Sequence, residues 1–342
     1  MSVSVSRESV DGVAVLIAAR DAAGTIARAV RSALAQPEAA EVVVVDDGST
    51  DGTAAVAREA DDGSGRLNVV VQENTGPSGA RNRAMSSTSA PLLCVLDADD
   101  LMTPGRLGRL LETSGEGWDF VADDLLTARE GRESGPYGRL LGVDKAGEVD
   151  LASFVRANIS DPRRPRGEMG FLKPLVRRSF LERTGLRYDG RMRLGEDYAF
   201  YAEALARGAR FRLTPACGYV AIARKGSLSE AHGAVDLKAL IDADDRLLAQ
   251  PDLSPEAVAA LKAHQRSIRL KWSHRRALDA RKAGRLGAAV RVLAESPATA
   301  VYILRETARA RAVSAARRLV GRRGWAAIEA EPAAAGSEQG RG

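Results

Sequence analysis

The stretch Leu92–Pro104, LLCVLDADDLMTP, joins an apolar run to three closely spaced aspartates. The unbroken apolar residues from Leu92 to Leu96 are typical of a buried parallel strand. Asp97, Asp99 and Asp100 follow, so three carboxylates reach the edge at which open α/β sheets bind ligands. Divalent cations such as Mg²⁺ prefer carboxylate oxygens and often share substrate phosphates. The stretch therefore predicts a metal–diphosphate site, although three aspartates can also form a solvated turn.

The residues that follow the aspartates predict a helix. Pro104 suits the first turn of a helix, where its missing N–H costs nothing. Asp100 is interpreted as the N-cap of that helix rather than as an outer partner of the metal.

Three strand-and-helix pairs precede this stretch. Each of three earlier apolar runs is followed by a helical pattern and predicts a strand: Val13–Ala19, Glu41–Val45 and Leu67–Val71. Strands that alternate with helices indicate right-handed β-α-β crossovers, and hence a Rossmann-like α/β fold with a mostly parallel sheet flanked by helices. Asp46 and Asp47 end the second strand, so a second acidic cluster is expected at the same sheet edge.

Other doubly wound families fit less well. The dinucleotide-binding fingerprint G-x-G-x-x-G is absent from Ala19–Gly24, and the chain contains no P-loop motif. A phosphorylation receiver domain could use Asp46 and Asp47, but it would leave the second acidic cluster unexplained.

Composition indicates a globular protein of a reducing compartment. Hydrophobic residues make up 45% of the 342 residues, which is ordinary for a chain with a core. Cys94 and Cys217 have neither metal-ligand spacing nor a disulfide framework. We find no signal-peptide pattern and no apolar run of membrane-spanning length. We therefore expect a cytoplasmic protein, soluble or peripheral at the inner face of the plasma membrane.

The charge is concentrated near the C-terminus. Residues 262–323 contain 17 Lys and Arg against three acidic residues, a charge of +14, whereas the whole chain carries +5, so the remainder carries −9. Apolar residues at helical spacing predict a basic helical subdomain over 231–328, with a solvated basic face or one that contacts anionic lipid. No nucleic-acid-binding motif accompanies the charge, so no nucleic acid partner is expected. Residues 1–12 are expected to be a flexible lead-in and 329–342 a disordered tail.

Five stretches, in chain order, resemble the successive signatures of family 2 glycosyltransferases with the GT-A fold: VVVVDDGSTDGT (Val42–Thr53), NTGPSGARN (Asn74–Asn82), LDADDLMTP (Leu96–Pro104), GFLKP (Gly170–Pro174) and LGEDY (Leu194–Tyr198). The resemblance covers about residues 10–230 and is greatest to transferases of succinoglycan-type exopolysaccharide assembly. It implies a GT-A domain over 13–230, with nucleotide-sugar binding in 13–110 and the acceptor side in 111–230.

The resemblance implies a donor site built around the aspartates. Asp97 and Asp99 would hold Mn²⁺ or Mg²⁺, with Asp99 in direct contact. Asp47 would hold the nucleobase with Asp46 beside it, unless both are turn residues that cap the helix after Gly52. The full set of residues implied in nucleotide-sugar binding is Ala18, Arg20, Asp46, Asp47, Arg81, Asp97, Ala98 and Arg224.

Three arginines in this set have alternatives. Arg20 stands where the family often has an aromatic residue that covers the base, and its planar guanidinium can stack there. Arg81 is expected near the diphosphate or the D-x-D carboxylates, or else on the surface of a helix. Arg224 begins a basic loop, Arg224–Ser227, that either closes over the diphosphate or is an exposed turn.

Glu196 and Asp197 open a helical pattern, where two acids also favour the helix dipole. The resemblance implies that Asp197 is the general base and that Glu196 orients the acceptor. Such a base is typically worth about 10²–10⁴ in rate. Single displacement at the anomeric carbon then predicts inversion, with a β-linkage formed from an α-linked donor.

Other acidic and histidine positions are less specific. Asp123 and Asp124 follow a strand at Trp118–Val121 and either line the acceptor side or cap a helix. His232 is interpreted as a solvated loop histidine rather than a metal ligand. Residues 128–168 are expected to be an irregular insertion.

Together these features predict an inverting, metal-dependent, non-processive glycosyltransferase. It would move a sugar, glucose by the narrower resemblance, from a UDP-sugar to a saccharide or polyprenyl-diphosphate-linked acceptor. The Q-x-x-R-W signature of processive synthases is absent, since Gln265–Arg269 does not match it. Two alternatives stay open: a nucleotidyltransferase, although Ala18–Gly24 lacks the glycine-rich basic loop, and a catalytically silent scaffold that binds nucleotide or assembly partners.

Overall fold

The structure, a computed structural model, describes residues 12–159, 167–224 and 233–330, with side chains described as far as residue 315. The predicted lead-in and tail therefore lie almost wholly outside the described residues, although the last helix continues to Ala330. The chain divides into two compact units, Met1–Ile268 and Arg269–Gly342.

The described residues of the first unit form one ten-stranded sheet. The strands are β1 Val13–Ala19, β2 Ala39–Asp47, β3 Leu67–Gln72, β4 Leu92–Val95, β5 Leu101–Met102, β6 Phe120–Arg129, β7 Gly138–Arg139, β8 Gly147–Val149, β9 Leu175–Arg177 and β10 Phe211–Ala223. Their order is β3-β2-β1-β4-β9-β6-β10-β5, with β7 beside β6 and β8 beside β10.

Helices alternate with these strands along the chain, and further helices follow the last strand. They are α1 Ile26–Leu34, α2 Thr53–Glu59, α3 Gly76–Ser86, α4 Arg106–Ser114, α5 Leu151–Ala157, α6 Arg178–Thr184, α7 Glu196–Ala206, α8 Ala234–Leu248, α9 Pro255–Lys282, α10 Leu286–Leu293 and α11 Pro297–Ala330. A single 3₁₀ turn, Met169–Phe171, precedes β9 among the described residues.

The N-terminal half of the sheet is parallel, as its apolar runs predict. β1 pairs with β2 and β4, and β2 pairs with β3, all in parallel register. Residues 13–17 of β1 are at most 1% exposed, and α1 and α3 both contact this strand. Burying each large apolar side chain stabilises the fold by roughly 1.5–3 kcal/mol. The predicted α/β class is confirmed.

The other half of the sheet is mixed. β9 lies between β4 and β6 and is antiparallel to both, whereas the thirteen-residue β10 runs parallel to β6. This insertion of β9 brings the segment before it to the end of β4. Neighbouring strands here are distant in sequence, so local periodicity could not have shown the order.

The helix predicted to begin at Pro104 begins later. Leu101–Met102 pairs antiparallel with β10 before the chain turns. α4 then starts at Arg106, with Gly105 at its N-cap in the left-handed region, at φ +68°. The start was predicted two residues too early, because Pro104 and Gly105 form a turn before the helix.

Residues 128–168, predicted to be irregular, contain β7, β8 and α5. Asp150 caps α5 by accepting a hydrogen bond from the Ser153 amide at 2.6 Å. Phe154 of this helix is fully buried and stacks on Tyr198 of α7, with ring centroids 5.9 Å apart. Within this segment, α5 therefore belongs to the core on the α7 side.

α8 and the first part of α9 belong to the first unit. The Tyr198 hydroxyl lies 2.8 Å from Asp244 Oδ1 on α8, and Asp244 Oδ2 lies 2.7 Å from His264 Nδ1 on α9. All three side chains are buried. This contact ties α8 and the start of α9 to α7 within the first unit, and the domain boundary expected between residues 230 and 231 stays a prediction.

The second unit contains the rest of α9, α10 and α11. Ala277, Val292 and Ile303 pack together as a small core. Four large apolar side chains are 62–66% exposed: Leu286, Val290, Val301 and Leu304. Within the described part of the chain, none of the helices combines the length and the apolar composition needed to cross a membrane.

Candidate active site

Charged side chains from four segments meet at the carboxyl end of β4. Asp97 follows β4, Arg81 belongs to α3, Lys173 precedes β9, and Glu196 and Asp197 open α7. Four of these five residues are predicted site residues. The sequence stretches that carry them lie up to about a hundred residues apart, and the mixed sheet brings them together.

Arg81 joins three of the carboxylates. Its Nη2 atom lies 2.8 Å from Asp97 Oδ1, and its Nη1 atom lies 2.6 Å from Glu196 Oε1 and 3.2 Å from Asp197 Oδ1. Arg81 is only 6% exposed. The alternative of a surface arginine is therefore wrong, and the guanidinium lies beside a D-x-D carboxylate as expected.

Lys173 joins the opposite oxygens of two of these acids. Its ammonium lies 2.6 Å from Asp197 Oδ2 and 3.0 Å from Asp97 Oδ2. The lysine is 4% exposed. Both oxygens of Asp97 and both oxygens of Asp197 thus face a cation.

Burial and ion pairing act in opposite directions on this cluster. Burial raises the pKa of Asp97, but the charges of Lys173 and Arg81 outweigh it and hold that pKa well below its ordinary value. Burial lowers the pKa of Lys173, yet Asp197 and Asp97 bring it above its ordinary value. Burial outweighs the Arg81 charge at Glu196 and raises its pKa. Lys173 is therefore charged at neutral pH.

Asp99, the other predicted metal ligand, forms an ion pair with Arg224. The contact joins Asp99 Oδ2 to Arg224 Nη2, just after β10 ends. Both side chains are partly exposed, at 35% and 29%. The structure thus brings Arg224 to the D-x-D motif, while Lys225–Ser227 of the predicted loop, like His232, lie outside the described residues.

The donor atoms at this edge fit a cation that is shared with a substrate. Among the described residues, no group of three or more His, Cys, Asp and Glu side chains forms a protein-only metal site. Asp97 is held through both oxygens by Arg81 and Lys173, whereas Asp99 pairs with Arg224 through Oδ2. Mg²⁺ is usually held by one or two carboxylates together with substrate phosphates. Asp99 would therefore hold the metal.

Asp100 turns away from this edge, so its predicted role as a helix cap is wrong. Its carboxylate accepts hydrogen bonds from the Tyr219 hydroxyl and the Ile222 amide, each at 2.8 Å. The same hydroxyl accepts the Asp97 amide at 3.1 Å. Burial, together with the charges of Asp97 and Asp99, raises the pKa of Asp100 to about 8. Asp100 and Tyr219 hold the D-x-D turn on β10.

Asp47 caps a different helix from the one expected. Its Oδ1 accepts the Thr75 amide and its Oδ2 accepts the Gly76 amide, both at 2.8 Å, at the start of α3. Gln72 adds a third donor at 2.8 Å. The capping alternative named the helix after Gly52, but Asp51 serves that helix by accepting from Thr53.

The remaining predicted nucleotide-binding residues lie at or just after the carboxyl ends of β1, β2 and β4. The ladder pairs Ala18 with Val45 and Ala19 with Asp46, which places Asp46 beside the exit of β1. Arg20 follows as an exposed side chain, 3.7 Å from Asp21. Ala98 is buried within the D-x-D turn. Nucleotide contact by these residues stays a prediction.

Asp123 and Asp124 do not line the acceptor side or cap a helix. Asp123 is fully buried against Arg106 of α4. Asp124 is also fully buried, and it accepts backbone hydrogen bonds from Leu141, Gly142 and Val143. The acceptor-side and the helix-cap predictions were therefore both wrong. The partners of the two carboxylates lie up to nineteen residues away in sequence, so local patterns did not indicate them.

Sequence reasoning missed two residues of the site. Lys173 stands in the GFLKP stretch, which carried part of the resemblance but received no role. Tyr219 lies in the apolar stretch of β10 and is fully buried. Two signals could have found them: Lys173 is a lone lysine beside apolar residues, and Tyr219 is a phenol inside a buried strand. Each of these side chains needs a polar partner when it is buried.

Comparison with known proteins agrees with this geometry. The model of the family described as glycosyl transferase family 2 matches residues 14–161. The chain is 53% identical over 272 residues to the succinoglycan biosynthesis protein ExoU of Rhizobium meliloti, which covers 78% of each chain. It is 36% identical over 244 residues to ExoO of the same organism, covering 70% of this chain and 69% of that protein.

Two solved structures share the fold at low identity. Staphylococcus aureus TarS 1-349, in complex with UDP-GlcNAc, superposes with a TM-score of 0.57 at 17% identity, over 82% of this chain and 90% of that one. The mannosyltransferase PcManGT of Pyrobaculum calidifontis, with GDP-Man and Mn²⁺, gives a TM-score of 0.54 at 20% identity, over 88% and 80%. The sheet is thus of the GT-A type, and with the two closely matching relatives the chain belongs to glycosyl transferase family 2.

Proposed function

We propose that this protein transfers glucose from a UDP-sugar, with inversion and one sugar per encounter, to a saccharide or polyprenyl-diphosphate-linked acceptor. The observation that carries the proposal is the network of Arg81 and Lys173, which ties Asp97 of the D-x-D motif to Glu196 and Asp197. Donor-side and acceptor-side groups therefore share one rigid cluster. The 53%-identical relative, a succinoglycan biosynthesis protein, supports exopolysaccharide assembly of the succinoglycan type.

The donor would lie across the carboxyl ends of β1, β2 and β4. Asp46 and Asp47 would face the nucleoside, and Arg20 is exposed beside them. A divalent ion held by Asp99 would stabilise the negative charge that develops on the leaving diphosphate. Arg224 already contacts Asp99 and can extend its remaining N–H groups to phosphate oxygens.

The acceptor would meet Asp197. The hydroxyl oxygen of the acceptor bonds to the anomeric carbon, while the bond from that carbon to the diphosphate breaks. The hydroxyl proton passes to the Asp197 carboxylate. Each carboxylate oxygen has two lone pairs, so Oδ2 can accept the hydroxyl beside Lys173. Glu196, held by Arg81, would orient the acceptor.

The second unit would bring the enzyme to a lipid-linked acceptor. Arginines flank the four exposed apolar side chains of α10 and α11 and are themselves exposed: Arg285, Arg291, Arg305 and Arg309. An amphipathic basic helix lies in the interface of an anionic bilayer. Each basic residue near such a surface adds about 1 kcal/mol.

Sedimentation with vesicles tests this contact. We expect binding to vesicles that contain phosphatidylglycerol, no binding to phosphatidylcholine vesicles, and weaker binding after Leu286→Ser with Leu304→Ser. Val235→Ser removes an even more exposed apolar residue from α8 and is the control. Equal binding by both variants would contradict a role for this surface.

Donor turnover tests the transfer reaction itself. We expect the wild type to release UDP from one UDP-sugar in the presence of Mn²⁺ or Mg²⁺, and Asp99→Ala to lose that release. Asp197→Asn should lose transfer by about 10² or more while it still binds donor, and Glu196→Gln should lose less.

Each alternative predicts a different result. A silent scaffold would bind UDP without turnover. A nucleotidyltransferase would release inorganic diphosphate from a nucleoside triphosphate and leave UDP-sugars intact. Either outcome would replace the proposed reaction.

A further inference from the structure

We propose that Lys173 is a positioning residue that sets the distance between the donor carboxylate Asp97 and the base Asp197. The inference rests on the proposed function for the roles of the two aspartates. Lys173 lies between the 3₁₀ turn and β9, and its side chain is buried. No role was assigned to it from the sequence.

The first observation is a closed ring of charges. Arg81 contacts Asp97 Oδ1 and Asp197 Oδ1, at 2.8 and 3.2 Å, while Lys173 contacts Asp97 Oδ2 and Asp197 Oδ2, at 3.0 and 2.6 Å. Each aspartate is thus held from two sides. Removal of either cation would leave one oxygen of each acid without its ion pair and would let the carboxylates repel each other.

The second observation is that the backbone around Lys173 is fixed. The carbonyl of Leu172 accepts the Tyr201 hydroxyl of α7 at 3.0 Å, and the carbonyl of Lys173 accepts Arg106 Nη2 at 2.7 Å. Pro174 follows and restricts the chain further. The ammonium therefore projects from an anchored point that contacts both α7 and α4, so it can hold the two acids at a defined separation.

Charge explains what the lysine would do to cation binding. When all three are ionised, Asp97, Glu196 and Asp197 carry three negative charges, which Arg81 and Lys173 reduce to one. A divalent ion close to Asp97 would be repelled by the nearby ammonium, because unit charges a few ångströms apart interact strongly even at the effective dielectric of a protein surface. Lys173 thus weakens cation binding at this edge while it keeps the base in place.

The two effects predict opposite changes in one variant. In Lys173→Met, Mn²⁺ should bind about tenfold more tightly in the presence of UDP, because a positive charge is lost. The transfer rate should fall about 10²-fold, because a base displaced by about an ångström loses that much. A lysine that only supported the fold would not tighten metal binding.

The experiment measures free Mn²⁺ by paramagnetic resonance during titration with UDP, and in parallel the kcat and KM of transfer. Lys173→Arg keeps the charge and should retain wild-type metal affinity with part of the rate. Lys238→Met removes an exposed lysine that pairs with Asp242 on α8 and is the matched control. Unchanged metal affinity in Lys173→Met, or an unchanged rate, would overturn the proposal.

Thermal melting decides whether the methionine variant folds. If it does not, Lys173→Gln takes its place, since the amide can still donate to one carboxylate without the charge, and the same pair of opposite changes is required of it. Failure of the wild type to bind or turn over any UDP-sugar would refute the proposed function. An active wild type whose Lys173 variants behave like the Lys238 control would refute this inference alone.

Discussion

Arg106 and Asp123 form an ion pair whose two side chains are completely buried. Arg106 Nη2 lies 2.6 Å from Asp123 Oδ1, and Arg106 Nε lies 3.1 Å from Asp123 Oδ2. The guanidinium also donates to the Lys173 carbonyl and contacts the Cys94 thiol. The pair therefore links α4 and β6 to the segment that carries Lys173.

Removing one partner of this pair should destabilise the fold strongly. We expect Arg106→Met to lower the free energy of unfolding by about 3–5 kcal/mol, because the Asp123 carboxylate would stay buried without its counter-ion. Denaturant unfolding measures the loss. The double variant Arg106→Met with Asp123→Leu should recover part of it, and a double variant as unstable as the sum of the two single changes would contradict this reasoning.

Asp47→Ala should have a structural and a binding effect. Loss of the α3 cap is expected to lower stability by about 0.5–2 kcal/mol, and UDP affinity should fall as well if Asp47 faces the nucleoside. Asp51→Ala is the matched control, since Asp51 caps the preceding helix. Calorimetric titration with UDP should then show weaker binding for Asp47→Ala only. Equal UDP affinity in the two variants would restrict Asp47 to its capping role.

Asp100 should make stability depend on pH. Its pKa of about 8 in the folded state lies above the model-compound value of 3.8, so the folded protein keeps a proton that the unfolded chain releases. Stability is therefore expected to fall as pH rises between these two values. Asp100→Asn should remove this slope, measured by thermal melting at about pH 5 and about pH 8. The exposed Asp242→Asn is the control, and a slope that survives in Asp100→Asn would assign it to another group.

The buried contact of Asp244 with His264 should support both stability and transfer. His264→Ala would leave the Asp244 carboxylate with the Tyr198 hydroxyl and without the imidazole, a loss of about 1–3 kcal/mol. We also expect slower transfer, since Tyr198 is next to the proposed base. Gln265→Ala changes the half-buried neighbour, which lies outside this contact, and should alter neither melting temperature nor rate. A His264→Ala variant with wild-type stability and wild-type activity would contradict the role of this contact in both stability and transfer.

The parallel half of the sheet could be predicted because its signals are local. The apolar run of β1 and the carboxylates after β2 and β4 are contiguous in sequence, and the bounds of these strands agree within about two residues with those expected. The order of β9, β6 and β10 could not be predicted in this way, since it depends on pairings between distant segments.

The same distinction holds for the site. Asp97 and Arg81 were expected close together, because the family resemblance implies that both lie in the donor site. Lys173 was not, because its two partners lie 76 residues before it and 24 residues after it. Asp100 was assigned to a helix cap by a local rule, and for Asp123 the acceptor side and a helix cap both stayed open; each instead binds a partner on another element.

α7 is fixed at its first turn by contacts of two consecutive residues, which point in different directions. Asp197 is held by the ammonium of Lys173, which precedes β9, and the next residue, Tyr198, is held by Asp244 and His264 of the following helices. Since consecutive residues of a helix point about 100° apart, the helix cannot rotate without breaking one of these contacts. A chimaera that exchanges acceptor specificity with a relative would therefore have to transplant α7, α8 and the start of α9 as one block.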